Sequence, residues 1–442
     1  MSITNIAKTL VAKNINLYYV GGCVRDEILG IPCDDIDIAV ENCNFNTLVE
    51  YLTPFSSHIT KEAVGGSLAV VKAVIDNQEY DFALCRGEKK IGNKHQDFEV
   101  IFNASILDDL LRRDLTINAI AKNVLTGELI DPYGGLRDLK NRIARPVSAA
   151  FAEDPLRVLR AARFISRFNL TPTQELIDMC KSLNSDNLPA ERFGMELYKA
   201  MKQAVKPSMF FNFIYEVGWD NIFPELYDLK GIPQDPTHHP EGDAYSHTMH
   251  CIDAANDYFT RIVMMCHDLG KSVTTTIHPV TGKIQAIGHE DDSVPLADIM
   301  LSRVMLEAAP GFGGRKEIDK ILVLVEMHML HTSKSIKDKK LAHKADKLFK
   351  AGLTFNDLVK AMKADESGRP PIVPDFTFIN DMNDRVSSMM AQGRFIPIVN
   401  SRLLMERGIQ PGPKMGQLIK EAYKLQLSGG LNQDNWFKVL SI

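Results

Sequence analysis

Asp35 and Asp37 stand two residues apart in the stretch YYVGGCVRDEILGIPCDDIDIAV, from Tyr18 to Val40, on what reads as a strand. Alternate strand residues share a face, so the two carboxylates point the same way while Ile36 and Ile38 turn into a core. Carboxylates a few ångströms apart repel unless a cation lies between them. Oxygen-only ligation of this kind suits Mg²⁺, with water and substrate phosphates completing its shell. Just upstream, Gly21 and Gly22 read as a turn where backbone can lie against a ligand, and Arg25 sits at the start of a helix. Gly22 and Arg25 are therefore placed to hold the rest of a nucleoside triphosphate. A third carboxylate comes from EYDFALCR, where Asp81 alternates with the apolar Tyr80, Phe82 and Leu84. On a neighbouring strand it would stand beside Asp35 and Asp37 and deprotonate an attacking hydroxyl. A DxD alone reads as a solvated loop; its combination with the glycine turn and arginine reads as chemistry.

Arginines extend this pattern. In LLRRDLTINAIA, Arg113 is placed to clamp a triphosphate, and Asp114 to fix a sugar or a side chain. In EDPLRVLRAARFISRF, Glu153 and Asp154 precede a proline, as at a helix start. Arg157, Arg160, Arg163 and Arg167 then fall within roughly a 120° arc of that helix. Four arginines on one face of an otherwise apolar helix suit contacts to triphosphate and RNA backbone. Glu153 and Arg157, four residues apart, also fit a simple helix ion pair.

A separate group occupies the second half. His247 (DAYSHTMH), His267 and Asp268 (VMMCHDLGKS), His289 (GHED), His328 (EMHMLH) and Asp365 (KADESGR) follow one another on segments that read as helices. Imidazole and carboxylate ligands of this kind bind one or two divalent transition metals. His331 competes with His328 for a place. LGKS resembles the end of a phosphate-binding loop, but Met265 stands where its first glycine belongs, and that reading is rejected.

These residues need elements to carry them. At 442 residues the chain is too long for one core, and its 45% hydrophobic and 24% charged content is that of a globular protein. Strands are expected at Leu17–Val20, Ile36–Val40, Leu68–Ile75, Tyr80–Cys85 and around 119–124, with a helix at Val24–Leu29. The polar RGEKKIGNKHQDFEV reads as a mobile loop. From Pro155 onward helical periodicity dominates, broken at Pro172, Pro189, Pro207, GIPQDPTHHPEGD and SGRPPIVPDF. The expected architecture is an α+β head (1–143), an all-α neck and body (144–230), an all-α domain (231–368) and a helical tail (369–442). No segment approaches membrane-spanning length, and the first residues lack a signal-peptide core. Seven cysteines without a CxxC pair argue for a reducing cytoplasm and against disulfides or a structural zinc site. With a net charge of −5, nucleic-acid binding must rest on a local basic patch.

GGxVRD (Gly21–Asp26), DxD (Asp35, Asp37), RRD (Arg112–Asp114), DPYGGLRDLKNRIAR and EDxxR (Glu153–Arg157) occur in one order across most of residues 17–200. In this the chain resembles the class II tRNA nucleotidyltransferases, the CCA-adding enzymes of the polymerase β superfamily, with a polymerase β-like head. The resemblance implies that Asp35 and Asp37 hold Mg²⁺ and that Asp81 is the third carboxylate. It implies further that Gly22, Arg25, Arg113, Arg160 and Arg163 bind nucleotide, and that Asp154 and Arg157 read the base edge of CTP, then ATP, on a tRNA 3′ end. The H…HD…H…H…D series resembles an HD phosphohydrolase domain, as in the multifunctional bacterial form. Such a domain implies hydrolysis of 2′,3′-cyclic phosphates and 2′-nucleotides with Ni²⁺ or another divalent transition metal, in a monomer or homodimer. The segment LLMERGIQPGPKMGQLIKEAYKLQLSGG is similar to the C-terminal part of several such members. About 14 residues precede the first strand without an assigned role. A poly(A) polymerase or a partial CC- or A-adding enzyme of the same superfamily is the alternative. Against it stand the 25 residues between Arg86 and Arg112, the second domain and a tail that is not a basic extension.

Overall fold

The structure is a computed structural model. It describes residues 2–33, 35–64, 67–90, 98–102, 104–333 and 335–440. The chain divides into two compact units, Met1–Ile222 and Phe223–Ile442.

The first unit opens with helix α1 (Ile3–Val11), followed by β1 (Asn16–Val20), α2 (Gly22–Ile28), β2 (Ile36–Glu41) and α3 (Phe45–Leu52). Then come β3 (His58–Val64), β4 (Ser67–Ile75), β5 (Gln78–Leu84), β6 (Arg86–Lys90) and β7 (Phe98–Phe102). After α4 (Ile106–Leu111), β8 (Ala121–Asn123) and β9 (Leu129–Ile130) finish a seven-stranded sheet of order β3-β4-β5-β2-β1-β8-β9. Within the described strands of this sheet β2 and β5 pair in parallel, and the other neighbours are antiparallel.

The two-residue period explains how the sheet packs. Ile38, Val40, Phe82 and Leu84 turn to one face, where Leu48 and Leu52 of α3 cover them. Ala39 and Cys85 turn to the other, against Ile106 and Leu110 of α4. The residues ahead of β1 acquire a role here. Ile3, Ile6, Ala7 and Leu10 of α1 belong to the first core, so this amphipathic helix closes the sheet face. The stretch read as a loop after Cys85 is, in its described parts, the hairpin β6–β7, paired from Arg86↔Phe102 to Lys90↔Phe98. The centre of that stretch, 91–97, lies outside the described residues.

Helices follow: α5 (Gly135–Lys140), α6 (Leu156–Phe168), α7 (Gln174–Lys181), α8 (Ala190–Gln203) and α9 (Ser208–Glu216). Helix α6 buries Val158, Leu159, Ala161, Ala162 and Ile165, which fixes which way its arginines face. Asp26 of α2 reaches it. One carboxylate oxygen of Asp26 lies 2.8 Å from Arg25, and the other 3.0 Å from Arg167 of α6.

The second unit is helical. It contains α10 (Pro224–Tyr227), α11 (Ala244–Ala254), α12 (Tyr258–Cys266), α13 (Lys271–Thr274), α14 (His289–Arg303) and α15 (Arg315–Met327). Then come α16 (Asp338–Lys350), α17 (Phe355–Glu366), α18 (Thr377–Ala391), α19 (Ser401–Glu406) and α20 (Pro413–Leu427). Side-chain caps set several starts: Asp243 accepts from Ser246 N at 2.8 Å, Asp257 from Thr260 N at 2.8 Å, and Thr354 forms a capping box with Asp357. The α+β head followed by helices is thus the fold that the sequence pattern indicates. No helix among the described residues is long and apolar enough to cross a membrane.

Asp26 is buried and serves two guanidinium groups, so its removal strands both. Asp26→Ala is expected to lower unfolding free energy by about 3–5 kcal/mol, the range for breaking a buried charge cluster from one side. Urea denaturation of the full chain, read by circular dichroism, measures it.

Candidate active sites

In the first unit, Asp37 is the second residue of β2 and Asp35 immediately precedes that strand. The parallel register sets Asp37 directly opposite Asp81 of β5, which brings the third carboxylate from a distant part of the sequence. Lys72 of β4 approaches Asp81 at 3.2 Å. Desolvation pushes the Asp37 carboxyl above its usual range, and the charges of Asp81 and Asp35 add to this against the pull of Arg113 and Lys72. A divalent cation relieves this repulsion, and an all-oxygen donor set fits Mg²⁺.

Gly21 turns the chain from β1 into α2 with φ +70°, and a Cβ there would stand 2.7 Å from a guanidinium nitrogen of Arg113. The glycine thus lets Arg113 come close to the backbone. The cleft beyond it, about 550 Å³, is lined by Gly22, Arg25, Asp35, Asp37, Arg113, Asp154, Arg157, Arg160 and Arg163. Asp81 is not among its lining residues and joins through its pairing with Asp37.

Each arginine is held. Asp109 binds Arg112 at 2.7 Å and Arg113 at 2.9 Å. Asp114 binds Arg160 at 2.7 Å and Asn118 at 2.9 Å, so it fixes a side chain. Arg160 lowers the Asp114 carboxyl far enough to overcome the opposing effect of complete burial. Glu196 of α8 binds Arg163. Arg157 donates to the carbonyls of Ala150 at 2.6 Å and Arg112 at 2.7 Å, which orients its planar fork. Arg25 bonds Asn118 Oδ1 and lies 4.7 Å from the Phe168 ring centre. Asp154 Oδ1 accepts from Leu156 N, at the first residue of α6, at 2.9 Å. Sequence reading missed Asp109, Asn118 and Glu196. The spacing of Asp109 to Arg112 and Arg113, three and four residues on, was a usable helix signal. Glu196 lies 33 residues from Arg163 on another helix and left no signal.

In the second unit, His247 comes from α11, His267 caps the end of α12, His289 opens α14, His328 follows α15, and Asp365 is on α17. Their imidazoles share one arrangement. Nδ1 of His267, His289 and His328 faces the carbonyl three residues back, Met264, Ala286 and Val325, at 2.7, 2.7 and 2.6 Å. His247 Nδ1 faces Glu241 at 2.8 Å and Gly368 O at 3.2 Å. A carbonyl only accepts, so these nitrogens carry hydrogen and each Nε2 is turned inward. Asp268 meets them with both oxygens: Oδ1 is 3.1 Å from His289 and 3.9 Å from His328, and Oδ2 is 3.2 Å from His267 and 3.7 Å from His247. His247 Nε2 lies 3.0 Å from Asp365 Oδ1. Yet His267 Nε2 and Asp268 Oδ2, both buried, make no well-directed hydrogen bond. Ring nitrogens and carboxylate oxygens converging in this way fit a metal centre.

His328 is fully buried and 3.3 Å from His289, whereas His331 is 3.6 Å from Asp365; the two approach different partners. Burial and the His267 charge push His328 down to about 3, which keeps its ring neutral. His267 is pushed up to about 10, because the Asp268 carboxylate outweighs burial. The loop read as a boundary also supplies Glu241 and His239, 2.9 Å apart. Lys271, from the rejected LGKS, reaches Asp268 and Gln234, each at 2.7 Å.

The poly A polymerase head domain model matches residues 17–145. The Multifunctional CCA protein of Alcanivorax borkumensis is 32% identical over 428 residues, covering 92% of this chain and 96% of that protein. The Multifunctional CCA protein of Aromatoleum aromaticum is 35% identical over 374 residues, covering 80% and 86%. Among solved structures, the Bacillus stearothermophilus CCA-adding enzyme in complex with CTP aligns at TM-score 0.68 and 20% identity, over 99% of this chain and 95% of that one. The Thermotoga maritima CCA-adding enzyme complexed with tRNA aligns at TM-score 0.60 and 19% identity, over 99% and 93%. These two share the fold. With relatives above 30% identity along most of its length, the chain belongs to the multifunctional CCA proteins, bacterial tRNA nucleotidyltransferases of the CCA-adding type.

Proposed function

We propose that the cleft of the first unit adds and repairs the 3′-terminal CCA of tRNA from CTP and ATP without a nucleic-acid template. The observation that carries this reading is the Asp37–Asp81 register pair at the edge of an arginine-lined cleft. Asp35 and Asp37 would hold Mg²⁺, which would supply charge neutralisation at the triphosphate and a better nucleophile at the RNA end. Asp81 takes the proton of the attacking hydroxyl. Gly22 and Arg25 receive the phosphates beside Arg113, Arg160 and Arg163, whose charges favour the transfer. Arg157, with its plane fixed by two carbonyls, presents donors to the base edge, and Asp154 presents an acceptor. The seven cysteines, all unpaired, suit a cytoplasmic protein.

The second cluster is proposed to be an HD phosphohydrolase centre acting on 2′,3′-cyclic phosphates and 2′-nucleotides. His247, His267, Asp268, His289, His328 and Asp365 would hold Ni²⁺ or another divalent transition metal, which supplies an activated water and neutralises phosphoryl charge. His289 and Lys271 line a pocket of about 230 Å³ next to the cluster, wide enough for part of a nucleotide. Lys271 brings a fixed positive charge to the phosphate there.

Incubating pure protein with tRNA lacking its 3′ end and each labelled NTP in turn separates CCA addition from poly(A) synthesis or partial addition. Asp37→Ala is expected to abolish incorporation of both CTP and ATP while phosphate-ester hydrolysis persists; retained incorporation refutes the assignment. Arg157→Ala is expected to relax CTP over UTP discrimination more than it weakens triphosphate binding. By analogy with arginine reading of base edges the loss is about 1–3 kcal/mol, measured as the ratio of kcat/KM values. Asp268→Ala is expected to lose 2′,3′-cyclic phosphodiesterase activity with Ni²⁺, Co²⁺ or Mn²⁺ while Mg²⁺-supported CCA addition stays near the parent rate. Wild-type protein that hydrolyses no cyclic phosphate with any of these metals ends the HD reading.

A further inference from the structure

Cys251 is the member of the second cluster that a histidine–aspartate pattern does not require. It lies one helical turn after His247 on α11, so helix geometry sets both side chains on one face. A buried thiol is ordinarily a small apolar filler. Here its surroundings are polar: Sγ is 3.4 Å from His247 Nε2 and 3.8 Å from the Asp365 carbonyl. The ligating atoms of His247, Cys251, His267 and Asp365 all lie within 4.8 Å of one another, and all four residues are buried. Metal bonds of about 2.0–2.3 Å at tetrahedral angles give edges of roughly 3.3–3.6 Å between ligand atoms. The observed edges of 3.4 Å (Sγ to His247), 3.0 Å (His247 to Asp365) and 3.9 Å (His267 to Asp365) bracket that range. His267 Nε2, fully buried and without a hydrogen bond, belongs to this set. Gly368 makes the room, since a Cβ there would stand 2.2 Å from the Cys251 sulfur.

Asp268, His289 and His328 form a second set, likewise within 4.8 Å of one another. Only this set reaches the neighbouring pocket, through His289; Cys251, His267 and Asp365 are not among the residues lining it. We propose that the cluster is two unlike metal sites with Asp268 between them, Oδ2 toward the first and Oδ1 toward the second: a closed His247–Cys251–His267–Asp365 site that selects thiophilic metal through a Cys251 thiolate, and an open Asp268–His289–His328 site facing substrate. The proposal rests on reading the cluster as a metal centre. On loading, the S–H bond breaks, a metal–sulfur bond forms and the proton leaves to solvent. Four protein ligands close the first site, whereas three ligands keep a position for water in the second. A thiolate biases the closed site to Zn²⁺, Co²⁺ or Ni²⁺ over Mg²⁺ and Mn²⁺.

Full-length protein stripped of metal and titrated with Co²⁺ tests this, with bound cobalt counted by elemental analysis and the near-ultraviolet spectrum recorded. Wild type is expected to show thiolate-to-cobalt charge-transfer absorption that excess Mg²⁺ leaves unchanged. Cys251→Ser and Cys251→Ala are both expected to lose that absorption and one cobalt equivalent. Stoichiometric cobalt uptake by wild type without the absorption overturns the thiolate site and leaves the metal-centre reading standing. So does absorption that survives in a folded Cys251 variant, since the sulfur then comes from another cysteine. Absence of cobalt uptake by wild type overturns both.

Discussion

Guanidinium groups crowded into one cleft repel, and the first unit is organised around holding them there. Arg25, Arg112, Arg113, Arg157, Arg160, Arg163 and Arg167 all line the same depression. Asp26, Asp109, Asp114 and Glu196 divide six of them, and backbone carbonyls hold the seventh. These carboxylates are themselves buried, so each pair costs desolvation that only good geometry and further hydrogen bonds offset. Pairing of this kind spans α2, α4, α6 and α8, and it thereby sets where the body helices stand against the sheet. The arginines are oriented before any phosphate arrives. Such preorganisation leaves less side-chain entropy to lose when an anion binds.

The second unit solves the opposite problem with the same economy. Its histidines are fixed by hydrogen bonds from Nδ1, three of them to the carbonyl three residues earlier, at a helix end or start. A helix terminus has unsatisfied carbonyls to offer, which is why His267 and His328 sit where α12 and α15 finish. The ring then has one orientation and one inward nitrogen. Asp268 faces four of these rings with its two oxygens, and Lys271 keeps its carboxylate company.

Several features were invisible along the chain for definite reasons. The leading residues had no role that could be assigned along the chain, and only the packed sheet says what Ile6 and Leu10 cover. The β6–β7 hairpin was hidden because Arg86–Lys90 is polar throughout, and a strand without alternation leaves no periodic signal. Glu241 and His239 lay in a proline-rich loop whose composition reads as a boundary, and Cys251 carried no metal spacing of its own. Each acquires meaning from residues on another element of the structure.

The sequence by itself determined the inward and outward faces of the strands, the glycine turn, the arginine face of α6 and the order of the histidines and aspartates. These follow from the periods of strand and helix, which are local properties of the backbone. Tertiary structure alone decided that Asp81 stands opposite Asp37 and which carboxylate holds which arginine. It also decided that the six histidine–aspartate positions meet with a thiol among them. Register and helix packing are set by side chains far apart in the chain, and no local spacing encodes the distance between them.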